Sequence, residues 1–360
     1  MNKKSLILGI ETSCDDTSMA IIEKAATGSC LPPKILAHHS FNQEKLLKRW
    51  GGVVPEIAAR NHMEMITPIF TQVLASANLK IEDVVKEISL IGVTALPGLL
   101  GPLLTGINLA KTLSLLLKLP IVPVNHLYAH LEAIWLTEDA YKRNLSYPYL
   151  GLLVSGGHSI YFLVQGRNCF ELLGQTIDDA AGEAFDKGGR LLGLPYPAGK
   201  IIDDLSRRGD PTRFAFPIGL QAEKSCNLSY SGLKTSLKTF LVQHPQIIDL
   251  ENPSQELCDL CASYQMAIIR ALLLKMDYAL AKAGAGALPI VVGGGVAANR
   301  TLREEVIKKY ALKGRHQVFV VPFEYCTDNG AMIANYAGLH EDEALAYPQS
   351  LMIDAKARLQ

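Results

Sequence analysis

The sequence predicts an α/β fold. Apolar, strand-like runs at 6–10, 149–154 and 289–292 alternate with longer segments that have helical periodicity, and this alternation is typical of α/β proteins. Two strand-turn-strand patterns with short polar turns begin at residues 6 and 149. The second begins about midway along the chain, so we expect two related lobes.

The other elements follow in chain order. An apolar stripe that includes Ile66, Phe70 and Val73 predicts a helix over 55–77. We expect strands over 88–94 and 120–124, a polar boundary at 138–147, a helix over 177–193, a loop over 195–232, a long helix over 254–283, a helix over 301–310 and a strand over 317–321. The predicted domains are a first lobe of 1–140 with a return of 322–345, a second lobe of 141–321, and a tail of 346–360.

Composition excludes several classes of protein. Hydrophobic residues make up 49% of the 360 residues and charged residues 19%, which suits a compact enzyme rather than a disordered chain. The formal net charge is zero, so a polyanion would need a local basic patch. Residues 187–240 hold nine Lys or Arg against four Asp or Glu, with Phe214, Phe216 and Tyr230 interspersed. This segment is either a nucleic-acid footprint or a solvated loop.

The cysteines indicate a reducing compartment. Seven are scattered at 14, 30, 169, 226, 258, 261 and 326, an odd number without the spacing of a disulfide framework. Cys258 and Cys261 form a CxxC that lacks the second pair of a structural zinc site, so we expect two packed thiols on a helix.

We expect no membrane span and a cytoplasmic location. Glu11 interrupts the apolar run at the N-terminus too early for a signal peptide. The apolar segment 96–124 contains Lys111 and Lys118, and its longest uncharged stretch is too short to cross a bilayer.

His126 and His130 are the most informative pair of residues. They stand four apart, so on a helix both imidazoles point in one direction. Neutral imidazole is the commonest side-chain metal ligand, and a site with two histidines keeps coordination positions open. The alternative is two histidines that bind nothing. Leu127 follows His126, so the HExxH motif of zinc peptidases is absent.

Three turns rich in glycine or hydroxyl groups follow strands, at Thr12-Ser13, Ser155–Gly157 and Gly293–Gly295. Glycine lets a phosphate approach backbone N–H groups, so three such turns favour a nucleotide between the lobes. Hairpin geometry alone would also explain one such turn. There is no GxxxxGK[ST], which excludes a Walker-type ATPase. Asn299 could contact adenine or ribose, or cap the following helix.

The sequence allows two interpretations of the role of each of four carboxylates. Asp179, Glu183 and Asp186 recur at helical spacing, either as a cleft edge that binds ribose hydroxyls or as a solvated face paired with Lys187 and Arg190. Asp328 follows the last strand and is either a third metal ligand or the N-cap of a helix that begins near residue 330.

Taken together, these motifs closely resemble the universal tRNA threonylcarbamoyladenosine transferase family, the TsaD group once labelled O-sialoglycoprotein endopeptidase. The matching pieces, in order, are Gly9-Ile-Glu-Thr-Ser-Cys-Asp-Asp, Gly51-Gly-Val-Val-Pro-Glu-Ile-Ala-Ala-Arg, Pro97-Gly-Leu-Leu-Gly, His126 with His130, Leu153-Val-Ser-Gly-Gly-His, Asp178-Asp-Ala-Ala-Gly-Glu-Ala-Phe-Asp-Lys, Ser229-Tyr-Ser-Gly-Leu-Lys-Thr, Gly293-Gly-Gly-Val-Ala-Ala-Asn-Arg and Cys326-Thr-Asp-Asn. The resemblance covers about residues 6–338.

The resemblance implies a duplicated actin-like ATPase (ASKHA) fold with two lobes around a nucleotide cleft. It implies transfer of the threonylcarbamoyl group from threonylcarbamoyl-AMP to the N6 amine of the adenosine next to the tRNA anticodon. It implies one divalent metal per subunit, iron favoured over zinc, on His126, His130 and Asp328. The implied substrate contacts are Leu153, Val154, Ser155, Gly156, Gly157, Asp186, Gly199 and Asn299. The implied partners are an inactive paralogue that docks near 55–77 and a small ATPase.

Some positions depart from the family pattern. Leu96 replaces the first glycine of Gly-Pro-Gly, Tyr128 with Ala129 replaces Glu-Gly between the histidines, and Ala198 replaces a glycine. None of these removes an expected ligand. Glu11, on the first turn, is a candidate general base. The alternatives are a non-catalytic scaffold of the same fold, a metallopeptidase, and a small-molecule kinase that would leave the histidine pair unexplained.

Overall fold

The chain divides into two compact units in a computed structural model that describes residues 5–26, 29–43, 46, 50, 52–244, 252–284 and 286–358. The first unit comprises Met1–Leu145 and Thr327–Gln360, and the second comprises Ser146–Cys326. The first boundary lies after residue 145 instead of the expected residue 140, and the second lies after residue 326 instead of the expected residue 321. Residues 1–4, Gly51 of the quoted motif and residues 359–360 of the predicted tail lie outside the described residues.

The described helices and strands are numbered here in chain order. The strands are β1 (Leu6–Glu11), β2 (Asp16–Glu23), β3 (Lys34–Asn42), β4 (Ile88–Leu96), β5 (Ile121–Asn125), β6 (Tyr149–Val154), β7 (Ser159–Gly166), β8 (Cys169–Gln175), β9 (Ile290–Gly293) and β10 (Val318–Val320). The α-helices are α1 (Pro55–Ser76), α2 (Val84–Glu87), α3 (Leu100–Leu117), α4 (His126–Glu132), α5 (Glu138–Lys142), α6 (Ala181–Leu191), α7 (Gly199–Ser206), α8 (Ser231–Gln243), α9 (Gln255–Ala283), α10 (Arg300–Val306), α11 (Phe323–Cys326) and α12 (Gly330–Leu339).

Each unit contains a five-stranded mixed sheet of the same topology. The first sheet has the order β3-β2-β1-β4-β5 and the second β8-β7-β6-β9-β10. In both, the first three strands in sequence pair antiparallel, and the last two add in parallel to the first. The predictions of an α/β fold and of a duplicated strand-turn-strand device are therefore confirmed.

Several predicted elements were wrong in extent. The helix expected over 177–193 begins only at Ala181, and the expected loop 195–232 contains α7, whose Ile202 and Leu205 are buried. The helix expected over 301–310 is α-helical only to Val306 and continues as a π-helical turn. The edge strands β3 and β8 were not predicted, because an edge strand with polar residues on its open face lacks a strong apolar pattern.

The returning helix α12 packs very closely on the first sheet. A Cβ on Gly9 of β1 would lie 2.1 Å from the carbonyl oxygen of Gly330, and a Cβ on Gly92 of β4 would lie 2.7 Å from the Cβ of Ala337. Gly330 itself lies against the backbone of β2, and its N–H donates to Ser18 Oγ at 2.9 Å. The glycine backbones at these contacts therefore fix where α12 begins, two residues after Asp328.

The segment predicted as a tail belongs to the first unit. Ile353 is buried in its core, and the N–H of Lys356 donates to the carbonyl of Ala95 at 2.9 Å. Ser350 is also buried, with its hydroxyl 2.6 Å from that of Ser114. Residues 346–358 are thus ordered by contacts with β4 and α3.

Two described helices, α3 and α9, are long and apolar enough to cross a membrane by length and composition. In α9 the most apolar window is 78% buried within the protein, so it is a core helix. In α3 the corresponding window is 39% buried, and one face that includes Leu103, Ile107 and Ala110 packs into the core of the first unit.

Replacement of Gly9 by alanine tests the close approach of α12. The added methyl group would overlap the Gly330 carbonyl, so we expect Gly9→Ala to lower the free energy of unfolding by about 2 kcal/mol or more in urea titrations. Gly166→Ala is the matched control, because no atom lies within 4 Å of its added Cβ. Equal stability of both variants would contradict the packing described for α12.

Candidate active site

Helix α4 presents both histidines on one side. The helix begins at His126 because the Asn125 side chain accepts a hydrogen bond from the N–H of Leu127 at 3.0 Å. The Nε2 atoms of His126 and His130 lie 3.1 Å apart, with their rings at an interplanar angle of 82°. The predicted i, i+4 arrangement on a helix is therefore confirmed, and both side chains are buried.

Asp328 meets the histidine pair within the first unit. Its Oδ1 lies 3.1 Å from His130 Nε2 and 3.5 Å from His126 Nε2. The alternative role of Asp328 as a helix cap was wrong, because Asn329 caps α12 by accepting from the N–H of Met332 at 2.8 Å. The Asp328 carboxylate is left to face the two imidazoles.

The three side chains could hold a metal ion. Their nearest ligand atoms all lie within 4.8 Å of one another. Ligand atoms about 2.1 Å from a shared ion lie roughly 3–3.5 Å apart at tetrahedral or octahedral angles, and the three observed separations of 3.1, 3.1 and 3.5 Å fit that range. Three protein ligands with an open position are typical of catalytic rather than structural sites.

Glu11 lies behind His126 and not at an open surface. Its Oε2 accepts from His126 Nδ1 at 3.0 Å and from Thr94 Oγ1 at 2.6 Å, and its Oε1 accepts from the N–H of Ser13. The residue is fully buried. A carboxylate that receives Nδ1–H fixes the imidazole tautomer and directs the Nε2 lone pair at a metal. This arrangement suits a residue that orients His126 better than the general base that the sequence suggested.

The electrostatics favour a cation. Burial alone would lower the pKa of His126, but the carboxylates of Asp328 and Glu11 outweigh burial and raise it to about 9. Burial and the neighbouring His126 lower the pKa of His130. Burial, followed by Asp328 and Asp15, raises the pKa of Asp16 to about 8. Negative charge is thus crowded around the histidines, and a positive ion would relieve it.

In the second unit, the turn after β6 is open at its glycines. Leu153 and Val154 are buried at the end of β6, whereas Gly156 and Gly157 are exposed, with no atom within 4 Å of an added Cβ. The N–H of Gly182, in the first turn of α6, donates to the carbonyl of Ser155 at 3.2 Å. The turn therefore rests on the N-terminal end of α6, and its two exposed glycines leave their own backbone N–H groups accessible to an anion.

Asp186 and Gly199 come together at the start of α7. The N–H of Ala198, directly before Gly199, donates to Asp186 Oδ1 at 2.8 Å. The other two carboxylates of the predicted acidic edge differ: Lys187 contacts Asp179, which precedes the helix, and lies 3.4 Å from Glu183. Ion pairing with Lys187 thus accounts for Asp179 and Glu183, and Asp186 differs from them in accepting a hydrogen bond from the backbone at the start of α7.

Asn299 is the N-cap of α10, which is one of the two roles expected from the sequence. Its Oδ1 accepts from the N–H of Leu302 at 2.8 Å, and its Nδ2 donates to Gln265 Oε1 at 2.7 Å. Gln265, buried on α9, donates in turn to Thr301 Oγ1 at 2.8 Å. Gln265 was not predicted as a site residue. The feature of the sequence that could have indicated it is a polar side chain on the apolar face of the long helix.

Gly294, with φ of 92°, packs against the carbonyl of Val154 and brings the turn after β9 beside the end of β6.

The basic segment 187–240 presents charge but not free aromatic rings. Eight of its nine basic side chains are exposed: Arg190, Lys200, Arg207, Arg208, Arg213, Lys224, Lys234 and Lys238. Tyr230 is buried, Phe214 packs on Phe240 at 4.9 Å between centroids, and Phe216 packs on Tyr264 at 5.7 Å. Any polyanion bound here would therefore meet cations and not stacking platforms.

Comparison with known proteins decides the family. Residues 34–335 match the family model "TsaD: tRNA N6-adenosine threonylcarbamoyltransferase". The chain is 44% identical over 329 residues to the tRNA N6-adenosine threonylcarbamoyltransferase of Thermosipho africanus, covering 91% of this chain and 92% of the relative. The chain belongs to the TsaD family. It is thus a tRNA-modifying transferase, and the expected resemblance is confirmed.

Solved structures show the fold of this TsaD-family chain. The activator of the 2-hydroxyisocaproyl-CoA dehydratase from Clostridium difficile, with bound ADPNP, has a TM-score of 0.51 at 11% identity and covers 93% of this chain and 95% of its own. HypF of T. kodakarensis has a TM-score of 0.58 at 14% identity, over 94% of this chain and 48% of its own. Both have the actin-like ATPase fold, so the predicted fold class is confirmed.

Replacement of Glu11 by glutamine tests its orienting role. We expect Glu11→Gln to weaken binding of a divalent metal about 10- to 100-fold, because the amide accepts less strongly from His126 Nδ1 and no longer adds negative charge. Isothermal titration with Zn²⁺ or Fe²⁺ measures the affinity. Ser89→Ala, which removes a hydroxyl hydrogen bond at the far end of β4, serves as the control. Unchanged affinity in Glu11→Gln would argue against the role.

Proposed function

We propose that this TsaD-family transferase moves the threonylcarbamoyl group from threonylcarbamoyl-AMP to the N6 amine of the adenosine next to the tRNA anticodon. The amine nitrogen attacks the carbamoyl carbonyl carbon, the bond from that carbon to the phosphate oxygen breaks, AMP leaves, and the amine loses a proton. The observation that carries the proposal is the convergence of His126, His130 and Asp328 in a chain of this family.

We assign His126, His130 and Asp328 as the ligands of one divalent ion. Two imidazoles and one carboxylate with open positions form the donor set typical of non-haem iron, so iron is favoured over zinc. When bound, the ion supplies a Lewis acid that polarises the carbonyl. Glu11 keeps His126 in the tautomer that offers Nε2, and its buried position argues against a part in proton transfer.

We assign the adenylate to the second unit. In the turn Ser155–Gly157, which follows Leu153 and Val154, the glycines Gly156 and Gly157 offer exposed backbone N–H groups to the phosphate, whereas the N–H of Ser155 donates to the carbonyl of His158. Asp186 and the adjoining Gly199 would take ribose hydroxyls. Asn299 uses one amide proton for Gln265 and keeps a second for the nucleoside. These assignments make positioning of two reactants the main contribution of the protein.

The alternatives account for fewer of the observations. A non-catalytic scaffold would be free to lose the metal-ligand set and the open glycine turn, and this chain has both. A metallopeptidase needs a general base beside the metal, and Glu11 is buried behind His126 with both of its oxygens engaged. The family assignment also favours the transferase over both.

We propose that the enzyme works in the cytoplasm with partners. An inactive paralogue is assigned to α1, where the apolar side chain of Met63 is 69% exposed. A small ATPase is assigned as the second partner. The exposed cations of segment 187–240 are assigned to the tRNA backbone.

Loss of a metal ligand tests the mechanism. With purified partners, threonylcarbamoyl-AMP and unmodified tRNA, we expect His126→Ala and Asp328→Ala to form the modified nucleoside about 100-fold more slowly or not at all, because the carbonyl is no longer polarised. Nucleoside analysis of the tRNA measures the product. His316→Ala, a histidine of the second unit that contacts Leu288 O, is the control. Undiminished turnover in both ligand variants would remove the metal from the mechanism.

Asn299 allows its capping and binding roles to be separated. Asn299→Asp keeps an oxygen for the N–H of Leu302 but loses the amide protons, one of which is donated to Gln265 Oε1, so we expect it to cost about 1 kcal/mol of stability and to raise the KM for threonylcarbamoyl-AMP about tenfold. Asn299→Ala should raise KM similarly and cost about 2 kcal/mol of stability, because it loses the cap as well. A wild-type KM in Asn299→Asp would show that the residue only caps α10.

A further inference from the structure

A buried polar cluster joins the helix that carries both histidines to the helix that follows Asp328. Glu132 is the last residue of α4, and Asn335 and His340 lie on and directly after α12. Glu132 and His340 are completely buried, and Asn335 is 3% exposed. None of the three is among the proposed ligands or substrate contacts, so the cluster has no assigned role.

The cluster makes two separate ties between the helices. His340 Nε2–H donates to Glu132 Oε2 at 2.7 Å, and Asn335 Nδ2 donates to the backbone carbonyl of Glu132 at 2.9 Å. The ring of Tyr336 stacks on that of His340 at 3.9 Å between centroids and 10° between planes, which holds the imidazole in place. The end of α4 is therefore fixed to α12 through both a side chain and the backbone.

The two histidines differ in how they are held. His126 has Glu11 and Ser13 as partners of its Nδ1. The Nδ1 of His130 is buried and has no hydrogen-bond partner among the described residues. In the described part of the chain no hydrogen bond to Nδ1 orients the ring of His130, so its position depends on packing and on where the backbone of α4 lies. That backbone is tied to α12 at Glu132, two residues further on.

The distance between the ligand atoms of His130 and Asp328 needs this control, because the two residues are far apart in sequence. His130 and Asp328 are separated by 198 positions, yet their ligand atoms lie 3.1 Å apart. Ligands must be held within about 0.5 Å of productive geometry to bind a metal well. A buried hydrogen-bonded pair specifies one arrangement of two helices more sharply than apolar contacts, which tolerate small sliding.

We propose that Glu132, Asn335 and His340 are positioning residues that set the separation of His130 from Asp328 and thereby the affinity of the site for its cation. The proposal rests on the proposed function to the extent that His126, His130 and Asp328 are taken as metal ligands. It adds residues that act on the site from the side opposite Glu11, through the backbone of α4.

Cobalt binding to the metal-free full-length protein tests the proposal without any assay of activity. Co²⁺ is titrated alone, and its visible absorption reports both affinity and ligand geometry. We expect Glu132→Leu, which keeps the bulk of the side chain but removes the acceptor, to weaken binding at least tenfold and to change the absorption spectrum. Glu132→Gln keeps an acceptor for His340, so it should bind within about threefold of the wild type with an unchanged spectrum.

A second variant and two controls complete the experiment. Asn335→Ala removes only the tie to the backbone carbonyl and should weaken Co²⁺ binding about threefold or more, even if Glu132→Leu does not fold. Ile333→Val trims a buried side chain on the same helix α12 outside the cluster and should leave affinity and spectrum unchanged. His126→Ala should abolish binding and thereby show that the signal comes from the ligand set.

The outcomes separate this proposal from the proposed function. Folded Glu132→Leu and Asn335→Ala proteins with wild-type affinity and spectrum would overturn the positioning role and leave the metal ligands intact. Equal weakening in Ile333→Val would also overturn it, because the effect would then follow from general loosening of α12. Failure of the wild type to bind Co²⁺, or binding that survives His126→Ala, would overturn the ligand assignment and this proposal together.

Discussion

The start of helix α12, packed on bare backbone, is the constraint on which the candidate site depends. Gly9 leaves no room for a side chain between β1 and α12, Gly330 leaves none between α12 and β2, and Asn329 rather than Asp328 satisfies the first turn of that helix. The carboxylate of Asp328 is therefore delivered to the imidazoles of α4 by backbone contacts that no flexible side chain can adjust. A site assembled from two distant segments needs that rigidity.

Two layers of polar contacts then adjust the site. On one side, Glu11 and Ser13 hold the ring of His126, and Thr94 holds Glu11. On the other side, the cluster of Glu132, Asn335 and His340 holds the helix itself. The orientation of the His126 ring and the position of helix α4 are thus controlled separately. Glu11 lies beside the first residue of this seven-residue helix and Glu132 is its last residue, and both carboxylates are fully buried away from the open face of the site.

The second unit has the same sheet topology but different residues in its turns. Its first turn, at Ser155–Gly157, carries exposed glycines where the first unit carries the turn after Glu11. The turn after β9 contains Gly294 and is followed by Asn299, whose amide donates a hydrogen bond to Gln265. Duplication of one fold thus carries a possible metal-ligand set in one unit and a turn with exposed glycines in the other.

The sequence by itself determined the α/β class, the repeated strand-turn-strand pattern, the helical pairing of His126 with His130 and the glycine turn at Ser155–Gly157, because all of these depend on residues close together along the chain. Only the tertiary structure decided that Asn329 caps α12, that Glu11 faces away from solvent, and that α7 is a helix. It also revealed Gln265 and the Glu132 cluster. The surroundings of Glu11, Gln265 and the Glu132 cluster depend on contacts between residues far apart in sequence, about which local pattern carries no information. For the cap of α12 the contact is local, but Asp328 and Asn329 are both compatible with that role and the pattern does not decide between them.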